Sequence, residues 1–394
     1  MTGVTLAQVV AALDRRYPPR TAQSWDAVGL VAGDPAAPVR RVLFAVDPVA
    51  AVADEAIAWD ADLLVTHHPL FLRPVSSVAA TTFKGALVHR LVTAGVGLYA
   101  AHTNADAAAG GVADALAEAI GLVDLAALVA APGDLLDKVV VMVPVEDAER
   151  LVDALAAAGA GALGEYTRAA FTSTGEGTFI PSAAAHPAVG RAGEAARVVE
   201  ARVEMVAPRS LRAQVVAALR AAHPYEEPAF DVLEPAALPG GTGLGRVGRL
   251  PAPQRLDDFA RRVAAALPPT AQGVRYAGDP ALLVERVAVL GGSGDSELDA
   301  VRAAGADAYL TSDLRHHPAS EARERAGFDG DGRPALVDTA HYASEWPWIA
   351  KAAEALARDL GTVETRVSTL VTDPWTGHVA LPFDNAPLDR KDPV

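Results

Sequence analysis

The sequence predicts an α/β protein, built as two related α/β halves forming a single core, with a ferredoxin-like α+β module inserted between them. Three observations carry this. Strand-length apolar runs alternate with helical spacing at both ends of the chain. The two ends share an internal repeat. The stretch between them has a rhythm of its own. With 394 residues the chain exceeds one ordinary core, and the expected units are 1–130, 131–238 and 239–394.

In the first unit, residues 6–17 have helical spacing, with Thr5 as N-cap and Pro18 as stop. Arg41–Asp47 reads as a buried strand, 49–59 as a helix and Asp62–Thr66 as the next strand. Helix 84–94 and strand Gly97–Ala101 follow, and Gly110-Gly111 introduces a helix to about Ile120. This alternation argues a parallel sheet covered by helices, where ligands gather at the carboxyl ends of strands. His67, His68, His102 and Asp106 all fall just past strand ends.

The pattern loosens over 124–134. Beyond it, Lys138–Val145 reads as a strand, 146–159 as a helix and 164–181 as one or two strands. Ala201–Val206 is a strand, Ser210–Ala222 a helix and Pro228–Leu233 a strand. Two β-α-β-like stretches of this size suggest a split βαβ, ferredoxin-like sandwich. The glycines of Pro239–Gly245 mark the return to the first pattern. There the reading is helix Leu256–Leu267, strand Val284–Leu290, a helix near 296–304 and strand Ala308–Thr311. A charged helix around Ser320–Ala326, strand Ala335–Val337, helix 342–358 and strand 362–371 complete it.

The repeat relates the outer units. Arg41-Val-Leu-Phe-Ala-Val-Asp47 matches Arg286-Val-Ala-Val-Leu-Gly-Gly292. Nineteen residues after Asp47 comes Thr66, in Ala61-Asp-Leu-Leu-Val-Thr66; nineteen after Gly292 comes Thr311, in Ala306-Asp-Ala-Tyr-Leu-Thr311. Ala101-His102 with Asp106 then corresponds to Ala340-His341 with Glu345. Each half therefore carries a histidine followed four residues later by a carboxylate.

Composition narrows the chemistry. There is no cysteine, which excludes disulfides, thiolate metal sites and cysteine nucleophiles and leaves histidine and carboxylate as metal ligands. The net charge of −15 argues against a broad nucleic-acid footprint. No uncharged apolar stretch is long enough to span a membrane, and Met1–Leu6 has no signal-type pattern. A cytoplasmic protein with a small-molecule substrate is expected.

In a helix starting at residue 341, His341 and Glu345 share one face and reach one ion. Asp106 sits equivalently in the other half. His67 and His68 are adjacent at a strand end, where the turn into Pro69 lets them diverge around a site and serve two ions. Three histidines and two carboxylates suit Zn, Fe, Mn, Co or Ni, with a bridging carboxylate and open positions, the pattern of catalysis rather than of structural zinc. The core thus reads as metal-binding, with two divalent metal ions per subunit. His102 is a ligand orienter, a substrate or acid/base group, or an extra ligand. Trp25 and Asn104 are substrate-side or supporting candidates, although a lone Trp in such a stretch is more often a packing residue. Asp313, His316 and His317 orient ligands, touch substrate or cap the next helix. The Gly291-Gly-Ser-Gly294 loop offers backbone N–H groups to a phosphate.

One further set of residues carries a resemblance: Trp25-Asp-Ala-Val-Gly-Leu30, Thr66-His-His-Pro69, His102-Thr-Asn-Ala-Asp106, Gly245-Arg-Val-Gly248, Gly291–Gly294, Tyr309-Leu-Thr-Ser-Asp313 and Asp338-Thr-Ala-His-Tyr-Ala-Ser-Glu345. Together they resemble the GTP cyclohydrolase 1 type 2 homolog family of NIF-three-like dinuclear metal proteins. His223-Pro-Tyr-Glu-Glu-Pro-Ala-Phe-Asp231 is similar to the longer bacterial members. The resemblance implies metal ligation by His67, His68, Asp106, His341 and Glu345, and a toroidal homohexamer that is a trimer of dimers. It implies a PII- or CutA-like insert, and conversion of GTP and water to formate and 7,8-dihydroneopterin triphosphate with His102 as acid/base group. Ser312 departs from the family's usual glycine. Two other readings stand beside this one: another dinuclear hydrolase, and a regulatory or scaffold hexamer whose insert holds a ligand through Tyr225, Glu226 and Glu227. Against the latter, Pro224 and Pro228 also serve simply to end a helix and open an edge strand.

Overall fold

Arg41-Val-Leu-Phe-Ala45 and Leu63-Leu-Val-Thr66 are buried along almost their whole length, which only an internal strand with both faces covered allows. The structure is a computed structural model that describes residues 3–133 and 135–379. It is a mixed α/β protein that separates into two compact units, residues 1–131 with 241–394, and residues 132–240.

In chain order the elements begin with α1 (Leu6–Arg16), β1 (Gly29–Ala32), β2 (Arg41–Ala45), α2 (Ala50–Ala58), β3 (Leu63–Thr66) and α3 (Phe83–Thr93). Next come β4 (Gly97–Ala100), α4 (Thr103–Ala107), α5 (Val112–Ala119) and β5 (Val123–Pro132). The second unit holds β6 (Leu136–Pro144), α6 (Ala148–Ala157), β7 (Ala170–Phe179), β8 (Ala196–Pro208), α7 (Arg212–Ala222) and β9 (Phe230–Leu233). The chain returns through β10 (Pro239–Arg255), α8 (Leu256–Ala266), β11 (Val274–Ala277), β12 (Leu283–Ser293) and α9 (Leu298–Ala303). It ends with β13 (Ala308–Ser312), α10 (His316–Asp329), β14 (Ala335–Thr339), α11 (His341–Leu360) and β15 (Glu364–Val367).

The larger unit has two sheets. One has the order β1-β4-β3-β2-β15, with β15, β2, β3 and β4 parallel and β1 antiparallel at the edge. The other runs β11-β14-β13-β12-β10-β5, with β12, β13 and β14 parallel and β11 and β10 antiparallel beside them. Three parallel strands next to an antiparallel edge strand thus occur twice. Helices α5 and α11 serve both cores: Val112, Ala115, Trp348 and Leu356 pack with the first sheet, and Leu116, Ala117 and Ala343 with the second.

Helix α1 starts where its sequence says it should. Thr5 accepts from the Gln8 amide while the Gln8 side chain accepts from the Thr5 amide, a reciprocal capping box. Other elements depart from the sequence reading. Residues 124–134, expected to be loose, lie mostly in β5, and the glycines of Pro239–Gly245, expected as a return, lie in β10. The two observations explain each other. A Cβ at Gly243 would run into the β5 backbone at Val129 and Ala131, so glycine lets the two strands approach. Half-exposed and alanine-rich, β5 shows no clear alternation in its sequence.

The smaller unit is a four-stranded antiparallel sheet of order β7-β8-β6-β9, with α6 and α7 supplying Leu151, Leu155, Val215 and Leu219 to its core. Its chain order is strand, helix, strand, strand, helix, strand. Asp137, fully buried, accepts from Arg212 at 2.6 and 2.8 Å and from Arg209 at 3.1 Å.

Candidate metal site

The end of one strand and the first turns of two helices deliver the central side chains. At the end of β3 the ladder continues one step further, His67 N–H to Ala45 O and His68 N–H to Val46 O. Thr66 Oγ1 donates to His68 O at 2.8 Å and fixes the turn into Pro69. At the end of β14 the chain enters α11 directly at His341, and the helical spacing brings His341 Nε2 to 2.9 Å from Glu345 Oε1. Helix α4 follows β4 and brings Asp106 Oδ1 to 3.7 Å from His67 Nε2.

The donor atoms converge. His67 Nε2 is 3.3 Å from Glu345 Oε1, His68 Nε2 is 3.2 Å from Glu345 Oε2, and His68 Nε2 is 3.2 Å from His341 Nε2. Each imidazole is held from behind. His67 Nδ1 donates to Ala101 O at 2.8 Å, His68 Nδ1 to Asp47 at 2.7 Å and His341 Nδ1 to Asp313 at 2.6 Å. With Nδ1 as donor, the neutral ring carries its lone pair on Nε2, the atom turned inward. Outer partners of this kind are what a metal-ligating histidine has.

The residues fit a cation. His67 Nε2, Asp106 Oδ1 and Glu345 Oε2 are buried without a hydrogen-bond partner, although buried polar atoms are ordinarily paired. Two donors about 2.1 Å from one tetrahedral ion sit about 3.4 Å apart, and these pairs are separated by 2.9–3.7 Å. The charges agree. Burial alone would discharge the imidazoles, but the Glu345 carboxylate overrides it and pushes His68 up to about 10 and His341 up to about 11. Burial alone would likewise raise Glu345, yet His68, His67 and His341 hold it well below the usual carboxylate range. The carboxylate thus favours positive charge among the rings, which a bound cation would equally supply. Among the described residues two groups of three could hold an ion: His67, His68 and His102, and His68, His341 and Glu345.

Gly292 closes the far side. Its φ of +70° is left-handed, and a Cβ there would lie 2.6 Å from Glu345 Oε1 and 3.1 Å from His341 Nε2. Its N–H donates to Ser344 Oγ, and Gly294 N–H donates to Ser312 O, so these two amides of the glycine loop are committed within the protein. Ser312 is buried, and its hydroxyl donates to Ser344 Oγ at 3.0 Å, so the serine is accommodated without a special backbone. The left-handed residue is the next one, Asp313 at φ 54°, where the chain turns its carboxylate toward His341.

His102 sits beside the pair, its ring centroid 5.2 Å from that of His67 and 5.5 Å from that of His68. Its Nδ1 donates to Asp26 at 2.9 Å. Asp26 also accepts from Thr103 N–H and Oγ1 and from Ala27 N–H. Burial would raise its carboxyl, but the bonds from His102 and Thr103 hold it far below the usual range. Trp25 is largely exposed, edge-on to His102 at 5.8 Å. It lines, with Gln23, His102, Gly245, Ser293 and Glu297, a cleft of about 420 Å³ that opens onto His341 and Glu345.

Not every candidate belongs to this cluster. Asn104 is buried behind it, donating to Tyr17 O at 2.7 Å. His317 is exposed in the first turn of α10, edge-on to His316. Sequence reasoning assigned no role to Asp26 or Asp47, which hold His102 and His68. Asp47 was legible in principle, as an acid ending the strand next to β3 in a parallel sheet, where strand ends converge.

The fold and the cluster together define a class: an α/β protein with a buried histidine–carboxylate cluster able to hold metal. The chain belongs to the Duf34/NIF3 (NGG1p interacting factor 3) family, whose profile matches residues 4–374. It is 54% identical over 374 residues to the GTP cyclohydrolase 1 type 2 homolog of Mycobacterium tuberculosis, covering 94% of this chain and 97% of the relative. The crystal structure of a Bacillus cereus protein related to NIF3 superposes with a TM-score of 0.74 at 35% identity, covering 95% of this chain and 99% of that one. A Staphylococcus aureus crystal structure gives a TM-score of 0.81 at 28% identity over the same shares.

Proposed function

We propose that this chain is a metal-dependent hydrolase that holds two divalent cations between His67, His68, Asp106, His341 and Glu345. The observation that carries the proposal is the inward convergence of three Nε2 atoms, each ring anchored at Nδ1, on two carboxylates with unpartnered buried oxygens. Bound there, divalent metal would acidify water and polarise a substrate oxygen or nitrogen at neutral pH.

The chain's own groups supply the rest. Glu345 reaches all three imidazoles and would hold metal together with them. Asp26 fixes the His102 ring so that its other nitrogen can accept or return a proton beside His67 and His68. Trp25 offers an exposed aromatic edge at the cleft for a planar ring. The relatives' name points to GTP as substrate; formate and 7,8-dihydroneopterin triphosphate are the products the family resemblance implies. Incubating metal-loaded protein with GTP and measuring formate tests this version; no formate above a His68→Ala control overturns it.

One observation favours a second substrate class. Among the described residues no lysine or arginine lines the cleft, so a triphosphate finds no lysine or arginine among them, whereas an uncharged cyclic amide needs none. A panel of cyclic amides, simple amides and phosphoesters separates the two.

The architecture we infer is two related α/β halves around this site, supported by the repeated arrangement of three parallel strands and an antiparallel edge strand. For residues 132–240 we infer an inserted PII/CutA-like, ferredoxin-like module, supported by its element order and its β7-β8-β6-β9 sheet. The assembly we infer from the family resemblance is a toroidal homohexamer, tested by light scattering of the purified chain.

A further inference from the structure

The smaller unit contains a cavity of about 450 Å³ that the metal chemistry does not use. That volume is within the range of about 300–1,000 Å³ of small-molecule sites. The connection between β7 and β8, residues 180–195, far exceeds the ordinary hairpin loop of about 2–5 residues. It folds back and is pinned: Gly193 N–H donates to Pro181 O at 2.8 Å, and His186 N–H to Glu226 Oε2 at 3.0 Å. Pro181, Pro187 and Val189 of this loop form one wall.

The opposite wall is aromatic and acidic. Phe179 and Tyr225 meet edge to face with centroids 5.8 Å apart. Glu200, Glu226 and Glu227 line the same space, and among the described residues no lysine or arginine does. Among the described residues Glu200 has no ion-pair partner, whereas Glu176 pairs with Arg197, and Glu204 with Lys138 and Arg202. A Cβ at Gly177 would fall on the Glu200 carboxylate, so the glycine is what lets that carboxylate lie on the cavity floor. The Tyr225 hydroxyl is buried without a hydrogen-bond partner. Burial, then the neighbouring Glu200 carboxylate, push this phenol up, so it remains a neutral donor.

We propose that this cavity binds a small organic cation, an alkylammonium or quaternary ammonium, with its charge between Glu200 and the faces of Tyr225 and Phe179. Aromatic faces beside an unpaired carboxylate are the chemistry that selects such cations. An apolar wall of prolines and valine accepts their alkyl groups, which a bare metal ion lacks. The inference is independent of the metal centre.

The test is calorimetric titration of the full chain with tetramethylammonium and n-butylammonium, with 3,3-dimethylbutan-1-ol as the uncharged control. At least one ammonium is expected to bind about tenfold or more tighter than the alcohol, the scale of a desolvated cation–aromatic contact. Glu200→Gln is expected to remove about that tenfold while leaving the thermal unfolding midpoint unchanged. Gly177→Ala, which displaces the same carboxylate without removing its charge, should weaken binding too and serves if the first variant fails to fold. Equal binding of the alcohol, unchanged affinity in a folded variant, or no binding of either ammonium overturns the proposal.

Discussion

Replacing Gly292 by alanine would place a methyl group 2.6 Å from Glu345 Oε1 and 3.1 Å from His341 Nε2. The first distance is shorter than a carbon tolerates and the second is tight, so the carboxylate must move and the ring must give by a few tenths of an ångström. Neither moves freely: His341 is held by Asp313 at 2.6 Å, and Glu345 is almost fully buried. The backbone adds its own cost, because φ of +70° is left-handed, worth about 1–2 kcal/mol for a residue with a Cβ. Gly305→Ala is the matched control. Gly305 has φ +66° with nothing within 4 Å of an added Cβ, so it carries the backbone cost alone. Gly305→Ala should lose about 1–2 kcal/mol of stability in urea unfolding of metal-free protein, and Gly292→Ala at least as much because the clash adds to the backbone cost. Only Gly292→Ala should lose metal affinity, by about 10–100-fold, the scale seen when groups that orient ligands are disturbed. Competition titration of purified protein with a chromogenic chelator measures it. If Gly292→Ala binds metal as tightly as the parent, or if Gly305→Ala weakens it equally, the assignment of this glycine to the cluster is wrong.

Three further perturbations address separate parts of the structure. Asp47→Asn leaves His68 Nδ1 without a charged acceptor; metal affinity should fall about 10–100-fold, by the same chelator assay. Asp26→Asn should keep the metal content by elemental analysis but lower turnover by about 10²-fold, because His102 loses the carboxylate that sets its ring. In the smaller unit, hydrogen bonds from Arg212, against the opposing effect of burial, and from Arg209 hold the Asp137 carboxyl below its ordinary value. A carboxyl lowered by folding stabilises the native state above its unfolded value of about 3.9, and that stability is lost as pH falls through the native value. Acid unfolding followed by circular dichroism should therefore begin at higher pH in Asp137→Asn, and the variant should be about 2 kcal/mol less stable at pH 7. An unchanged acid limb would show that the arginine pair contributes nothing there.

Strands such as Arg41–Ala45, Leu63–Thr66 and Ala308–Ser312 were legible because a strand buried on both faces must be apolar throughout, a local signal. Strands β1, β5 and β11 carry no such signal: they are short or half-exposed, and partners distant in sequence make them strands. The glycines of β10 pointed to a turn by composition, whereas close approach of β5 is what requires one of them.

The sequence by itself determined the chemical inventory: no thiol, histidines at strand ends, and a histidine and a carboxylate one helical turn apart at 341 and 345. Those features depend on residue identity and local periodicity, which any reader of the chain can count. Only the tertiary structure decided which nitrogen of each imidazole faces inward. That depends on Ala101 O, Asp47 and Asp313 arriving at each ring from other strand ends. It also decided that Glu345 lies among three rings, and that Gly292 must lack a side chain for them to meet. These are distances between residues far apart in the chain, set by how the sheets and α11 pack, and no local pattern encodes them.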